Sequence, residues 1–177
     1  MEDSGRDSQR YQYERFTLTQ LLVMALKGVP AFYLPALLAS ENDIKRFSFT
    51  GQRRDLNREK FKSDNLLSIL ENPESSANKN LKYLKHAMDV RSKIIQFHPC
   101  SEMKCLSKGR SDIVAIKRGI GKQSVFAIHN MTENKINYQL NDEDLPALQD
   151  DAFNMQDLLT DNKYNRKNIS LEPFQVT

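Results

Sequence analysis

The sequence predicts a chain of mixed class, α/β in its first part and small antiparallel β in its second. Three observations carry this. A helix-favouring stretch, Tyr11 to Leu26, is separated by only Lys27 and Gly28 from the apolar run Val29 to Leu34, and helix, tight turn, apolar run is the grammar of an α/β fold. Beyond His98-Pro99 the hydrophobic period changes from helical to two. The net charge of +3 conceals a division: residues 1–95 hold 16 basic and 12 acidic residues, net +4, whereas residues 96–177 hold 10 and 11, net −1. The chain is therefore read as two domains, 1–95 and 96–177, within a length of 177 residues that also suits one ordinary domain.

In order along the chain, Phe16, Leu18 and Leu21 to Leu26 become nearly continuous toward the end of the first helix, as in a helix covered by protein, and Gly28 is its expected stop. Val29 to Leu34 lacks polar alternation and predicts a strand buried on both faces. Ala39 to Lys62 shows neither periodicity and reads as a long, charged loop, a kind of segment that is often functional. Helical character returns at Ser63 to Glu71, stops near Pro73, and resumes from Asn78 to Ile95, where Leu81, Leu84, Met88 and Ile95 form an amphipathic stripe. Strands are then expected at Asp112 to Lys117 and Gln123 to His129, at Ile136, Tyr138 and Leu140, at Phe153 to Leu159, and at Ile169 to Val176. Pro173 implies an edge or bulge in the last, and the sheet is expected to keep one wet face.

Several functions are excluded at this level. The longest apolar stretches, Leu21 to Leu26 and Val29 to Ala39, are interrupted by Lys27, Gly28, Pro30 and Pro35, so no membrane span is expected. Met1 to Arg15 is polar and lacks the apolar core of a secretory signal, which makes a reduced, cytoplasmic protein the default. Cys100, Cys105 and His98 supply three metal ligands at most, short of a structural zinc site, and packing is the simpler role for the cysteines. There is no glycine-rich nucleotide motif, no cofactor is expected, and no nucleophile stands at informative spacing to His86, His98 or His129.

Charge clusters in two places. Lys45, Arg46, Arg53, Arg54, Arg58, Lys60 and Lys62 face only Asp55 and Glu59, while Asn141 to Asp161 holds seven acids and no base. Phe47 and Phe49 within the basic stretch suit single-stranded nucleic acid, but the near balance of charge overall argues against that partner. Arg58 is expected to brace the loop against Glu59 or Asp55, and Asn42 and Asp43 suit a turn or a helix cap.

A lone parallel-type strand cannot satisfy its own ladder, so the first part lacks neighbours. Its residues resemble a known family at this point. Gly28-Val29-Pro30-Ala31-Phe32-Tyr33, then Leu37-Leu38-Ala39-Ser40-Glu41-Asn42-Asp43, then Thr50-Gly51-Gln52-Arg53-Arg54-Asp55-Leu56-Asn57-Arg58-Glu59 are similar to the end of the barrel in the α-amylase superfamily, in the branch of sucrose phosphorylase and related glycoside phosphorylases. Val125-Phe126-Ala127-Ile128-His129-Asn130, Asp157-Leu158-Leu159-Thr160 and Ile169-Ser170-Leu171-Glu172-Pro173-Phe174 resemble strands of that family's C-terminal β domain.

The resemblance implies that residues 1–95 are the last helix-strand-helix portion of a (β/α)8 barrel and residues 96–177 the appended antiparallel domain. It implies glucosyl transfer from an α-glucoside to phosphate, with a fragment of an α-glucosidase or amylase-type hydrolase as the alternative. It also implies that the catalytic carboxylates belong to earlier barrel strands, so that this chain is inactive alone or completes an N-terminal barrel fragment in a structural role. Arg54 matches an arginine beside the glucosyl subsite, with Asn42 and Asp43 as further sugar contacts, and His129 matches a structural histidine of the β domain. No catalytic or metal residue is assigned within the chain.

Overall fold

In a computed structural model, residues 10–141, 143, 145, 154–165 and 168–177 are described. Among these residues five helices come first: α1 (Gln12–Ala25), the single turn α2 (Leu34–Leu37), α3 (Ile44–Thr50), α4 (Ser63–Glu71) and α5 (Ser76–Lys93). Seven short strands follow: β1 (Met103–Cys105), β2 (Ile113–Arg118), β3 (Val125–Asn130), β4 (Ile136–Tyr138), β5 (Asn154–Gln156), β6 (Lys163–Asn165) and β7 (Ile169–Leu171). The chain forms two compact units, one of Met1–Pro30 with Ala87–Thr177 and one of Ala31–His86.

The first unit is built on antiparallel ladders. β1, β2 and β3 form a three-stranded sheet in that order, and β4 pairs β7 while β5 pairs β6. On one face of β2 and β3, Ile113, Ala115 and Ile128 join Tyr138, Leu140, Leu145, Ile169 and Leu171 in a core where no residue is more than 8% exposed. The other face is not wet, contrary to the expectation from the alternation: Ile116 and Ala127 pack with Ala25 of α1, and Leu22 and Val114 border that cluster. A helix from the start of the chain thus covers the sheet's second side.

Two arginines hold the corners of this unit. Arg118, fully buried, donates from Nε to Gln96 O (3.2 Å) and from Nη2 to His98 O (3.0 Å), with Phe97 beneath its guanidinium. Arg91 donates to Met24 O, Gly28 O and Phe97 O at 2.9 to 3.1 Å. The fixed fork of a guanidinium is what lets one side chain hold several carbonyls. At the end of β2, Gly119 has φ +77° and a Cβ there would lie 2.6 Å from Gln96 Cγ, so the turn needs glycine twice over.

The expected strand Ile169 to Val176 divides at Pro173. β7 ends at Leu171, Phe174 takes a positive φ of 54°, and the chain then runs beside β3, with Thr177 and Ile128 exchanging both backbone bonds at 2.8 and 3.0 Å. β1 and β6 were not legible as strands, being three residues long without apolar alternation. Of the expected strand Phe153 to Leu159, Phe153 lies outside the described residues, as do Asp142, Asp144, Asp150 and Asp151 of the acidic stretch.

The stretch from Val29 to α5 departs more. The predicted buried strand Val29 to Leu34 is not one: Val29 is 80% exposed, Tyr33 and Leu34 are about half exposed, and no ladder includes them among the described residues. Without a neighbouring strand no ladder forms, and the carbonyls of Tyr33 and Leu34 are instead taken by the N–H groups of the α2 turn. The long stretch Ala39 to Lys62 is not loop throughout, since it contains α3 and a 3-10 turn, Arg53–Asp55. α4 falls where predicted, yet none of its residues is buried. Asn80 of α5, fully buried, donates to Ala36 O and Leu37 O at 3.0 and 2.9 Å and so closes α2.

Candidate functional site

The candidate residues Asn42, Asp43 and Arg54 all flank α3. Asp43 caps the helix, its Oδ1 accepting from the Arg46 N–H at 2.9 Å, and its own N–H donates to Leu56 O at 2.7 Å. At the other end Gly51 takes the left-handed conformation, φ +65°, and its N–H returns to Phe47 O at 2.7 Å. Asn42 precedes the cap and is exposed, with its carbonyl accepting from Ile44 N–H. Arg54 is exposed in the middle of the 3-10 turn. The Asn42-Asp43 pair and the Arg54 segment are therefore joined through the Asp43 to Leu56 bond, although ten residues of sequence lie between Asp43 and Arg54.

The residue that sequence reasoning underrated is Asp55. It is buried, its Oδ2 accepts from Thr50 Oγ1 at 2.7 Å, and its Oδ1 lies 3.4 Å from Arg46 Nε, an ion pair without hydrogen-bond alignment. The Thr50 hydroxyl holds the Asp55 carboxyl below the ordinary carboxylate range; partial burial opposes this, and Arg46 and Arg54 add to it. Arg46, rather than the expected Arg58, is the base that pairs with Asp55. The signal available in the sequence was that Asp55 is one of two acids among seven bases.

The three motifs of the β domain prove to be folding devices. Asn130 is fully buried; its amide donates to Asn134 O (2.7 Å) and Glu172 O (2.9 Å) while its Oδ1 accepts from the backbone and hydroxyl of Thr132, both at 2.9 Å. Asp157 accepts from Leu159 N–H and Thr160 Oγ1 and so turns the chain from β5 to β6. His129 is fully buried and neither ring nitrogen has a hydrogen-bond partner. Burial pushes its pKa down to about 4; backbone groups of Val114, Leu21 and Ala127 lie close enough to oppose this slightly without meeting the ring in hydrogen-bond geometry. A neutral imidazole so enclosed cannot exchange protons with a substrate.

Cys100 and Cys105 are free thiols and both are exposed, so the packing role expected of them is not met. Among the described residues no three His, Cys, Asp or Glu side chains converge as metal ligands, and no helix is long and apolar enough to cross a membrane.

Comparison with known proteins shows what the chain as a whole is similar to. A glucosylglycerate phosphorylase of Allomeiothermus silvanus is 34% identical over 119 residues, which is 67% of this chain and 21% of that enzyme. The chain is a relative of the glucosylglycerate phosphorylases. Enzymes of the same name from Spirochaeta thermophila and Escherichia coli match at 27% over 104 and 28% over 85 residues, so the chain spans about a fifth or less of the curated relatives it matches. No family model matches. Among solved structures, the trehalose-6-phosphate hydrolase of Bacillus licheniformis aligns with TM-score 0.67 at 15% identity, over 96% of this chain and 39% of its own. A trehalulose synthase gives 0.68 at 11% identity over the same shares, and a maltogenic amylase 0.59 at 15%. The fold is that of the α-amylase superfamily, as the sequence resemblance implies.

Proposed function

We propose that this chain is the C-terminal portion of a retaining α-glucoside phosphorylase, which moves a glucosyl group from a glucoside, glucosylglycerate foremost, to inorganic phosphate. The observation that carries the reading is the similarity to three glucosylglycerate phosphorylases from three organisms. The trehalose-6-phosphate hydrolase and trehalulose synthase of similar fold are 11–16% identical to it and say nothing of substrate.

In such a reaction a carboxylate attacks the anomeric carbon while a carboxylic acid protonates the departing oxygen, and phosphate then displaces the enzyme from the glucosyl intermediate. These two groups are assigned to barrel strands outside the 177 residues. Within them, residues 1–95 supply the end of the barrel and 96–177 the β domain. Arg54 holds glucosyl hydroxyls through its fork of donors, with Asn42 beside it. Asp43 spends one carboxylate oxygen on the α3 cap, which leaves the other for a sugar hydroxyl. The partner implied is the preceding barrel portion, on the same polypeptide or in trans, and the compartment is the cytoplasm.

Two experiments test this. The purified chain is expected to show no phosphorolysis or hydrolysis of glucosylglycerate or sucrose; clean turnover by it alone would overturn the assignment of the carboxylates. In a full-length enzyme made by joining this chain to the barrel portion of its 34%-identical relative, Arg54→Ala and Arg54→Lys are each expected to lower kcat/KM by about ten- to a hundredfold, the worth of a charge-assisted hydrogen bond. Unchanged kcat/KM in either would show that Arg54 does not hold the sugar.

A further inference from the structure

The loop around α3 is organised although it encloses nothing. α3 has no buried residue, and its apolar side chains Ile44 and Phe49 are 66% and 91% exposed. A single 3-10 turn has little stability of its own. Yet Arg53–Asp55 is tied to both ends of α3: Leu56 O accepts from Asp43 N–H at the start of the helix, and Asp55 accepts from Thr50 Oγ1 at its end.

We propose that Asp55 is a positioning residue for Arg54, holding the Arg53–Asp55 turn against α3 through Thr50 and Arg46. Both oxygens of its carboxylate are engaged, Oδ2 by Thr50 and Oδ1 by the Arg46 guanidinium, so Asp55 is not itself presented to a ligand. Arg54 is the reverse case, a residue whose backbone lies between anchored neighbours while its side chain stands in solvent. The clamp fixes where the guanidinium starts from before any ligand arrives, so that binding does not have to order the loop. Because no apolar core depends on these bonds, their effect is on the placement of the loop. This role rests on the reading of Arg54 as a glucosyl contact, and the two separate by experiment.

In the 177-residue chain, ¹⁵N relaxation is expected to give the Arg54 amide an order parameter near 0.85, falling below about 0.6 in Asp55→Ala. Thr50→Val, which removes the hydroxyl on Asp55 Oδ2 and keeps the Arg46 contact, is expected to lower it part of the way. An Arg54 amide that stays rigid in Thr50→Val and in Asp55→Ala overturns the proposal. In the joined full-length enzyme, Asp55→Ala is expected to lower kcat/KM by about three- to tenfold, and Asp55→Ala on an Arg54→Ala background to lower it no further, as required of two residues acting as one. Additive losses overturn the positioning role. Wild-type kcat/KM in Arg54→Ala would instead remove the glucosyl contact, with the relaxation measurements still deciding whether Asp55 orders the turn.

Discussion

The two units of this chain solve the same problem to different degrees. In the β-rich unit, Ile113, Ala115 and Leu171 have no exposed surface, and every polar motif that the family resemblance singled out is spent on turns and strand ends. In the unit of residues 31–86 the buried apolar residues are Leu38, Ala77 and Leu84, while Phe49, Ile44 and Leu67 are 91%, 66% and 59% exposed. Both hold comparable kinds of apolar side chain. What differs is that the antiparallel strands all find partners within the unit, β1 to β3 in succession and β4 with β7 about 30 residues on, whereas an α/β segment depends on parallel neighbours far away in sequence. Pairing within the unit makes the first self-sufficient, and the second carries the candidate sugar contacts on a frame held largely by polar bonds.

The contrast can be broken most directly by hydrogen exchange. Amides of β2 and β3 are expected to exchange more slowly than those of α3 and α4 by on the order of a thousandfold or more, since the first open only with the core. Similar protection in both would mean that residues 31–86 have a core of their own. Core truncation sharpens the same point: Leu171→Ala is expected to cost about 2–5 kcal/mol in a denaturant titration, while Leu67→Ala stays within about 0.5 kcal/mol of wild type. A large loss from Leu67→Ala would contradict the exposure of α4.

The smaller effect concerns pH. His129 titrates at about 4 when folded against 6.5 ordinarily, so below pH 6.5 the unfolded chain takes up a proton that the folded chain refuses. Stability is therefore undiminished above pH 6.5 and declines as pH falls toward 4, by about 3 kcal/mol over that window. His129→Leu is expected to flatten this part of the profile relative to wild type. An unchanged slope in the variant would show that the imidazole does not carry it.

How much of this was legible follows the same division. α1, α4, α5, β2, β3, β4 and β7 stand close to where period and turn signals put them, because a local pattern and a local partner coincide. Val29 to Leu34 misled because a run of apolar residues states what a segment needs and not whether it is supplied. Covering of the β2 sheet by α1 was invisible for a related reason: alternation in β2 was read as one wet face, while Ala25 and Leu22, some 90 residues earlier, complete the other. At the candidate site, Arg54 and Asn42-Asp43 were found through motif resemblance. Asp55 was passed over because a carboxylate among arginines reads as charge balance until Thr50 is seen to meet it.

The arrangement of α1 also bears on synthesis. Ala25 packs on Ile116 and Ala127, yet the segment Ala31–His86 is made between them and belongs to the other unit. At about 5–20 residues per second, the apolar stripe of α1 emerges from the ribosome roughly 5–20 s before the sheet that will cover it. During that interval Leu22 and Ala25 lack the strand residues that later cover them.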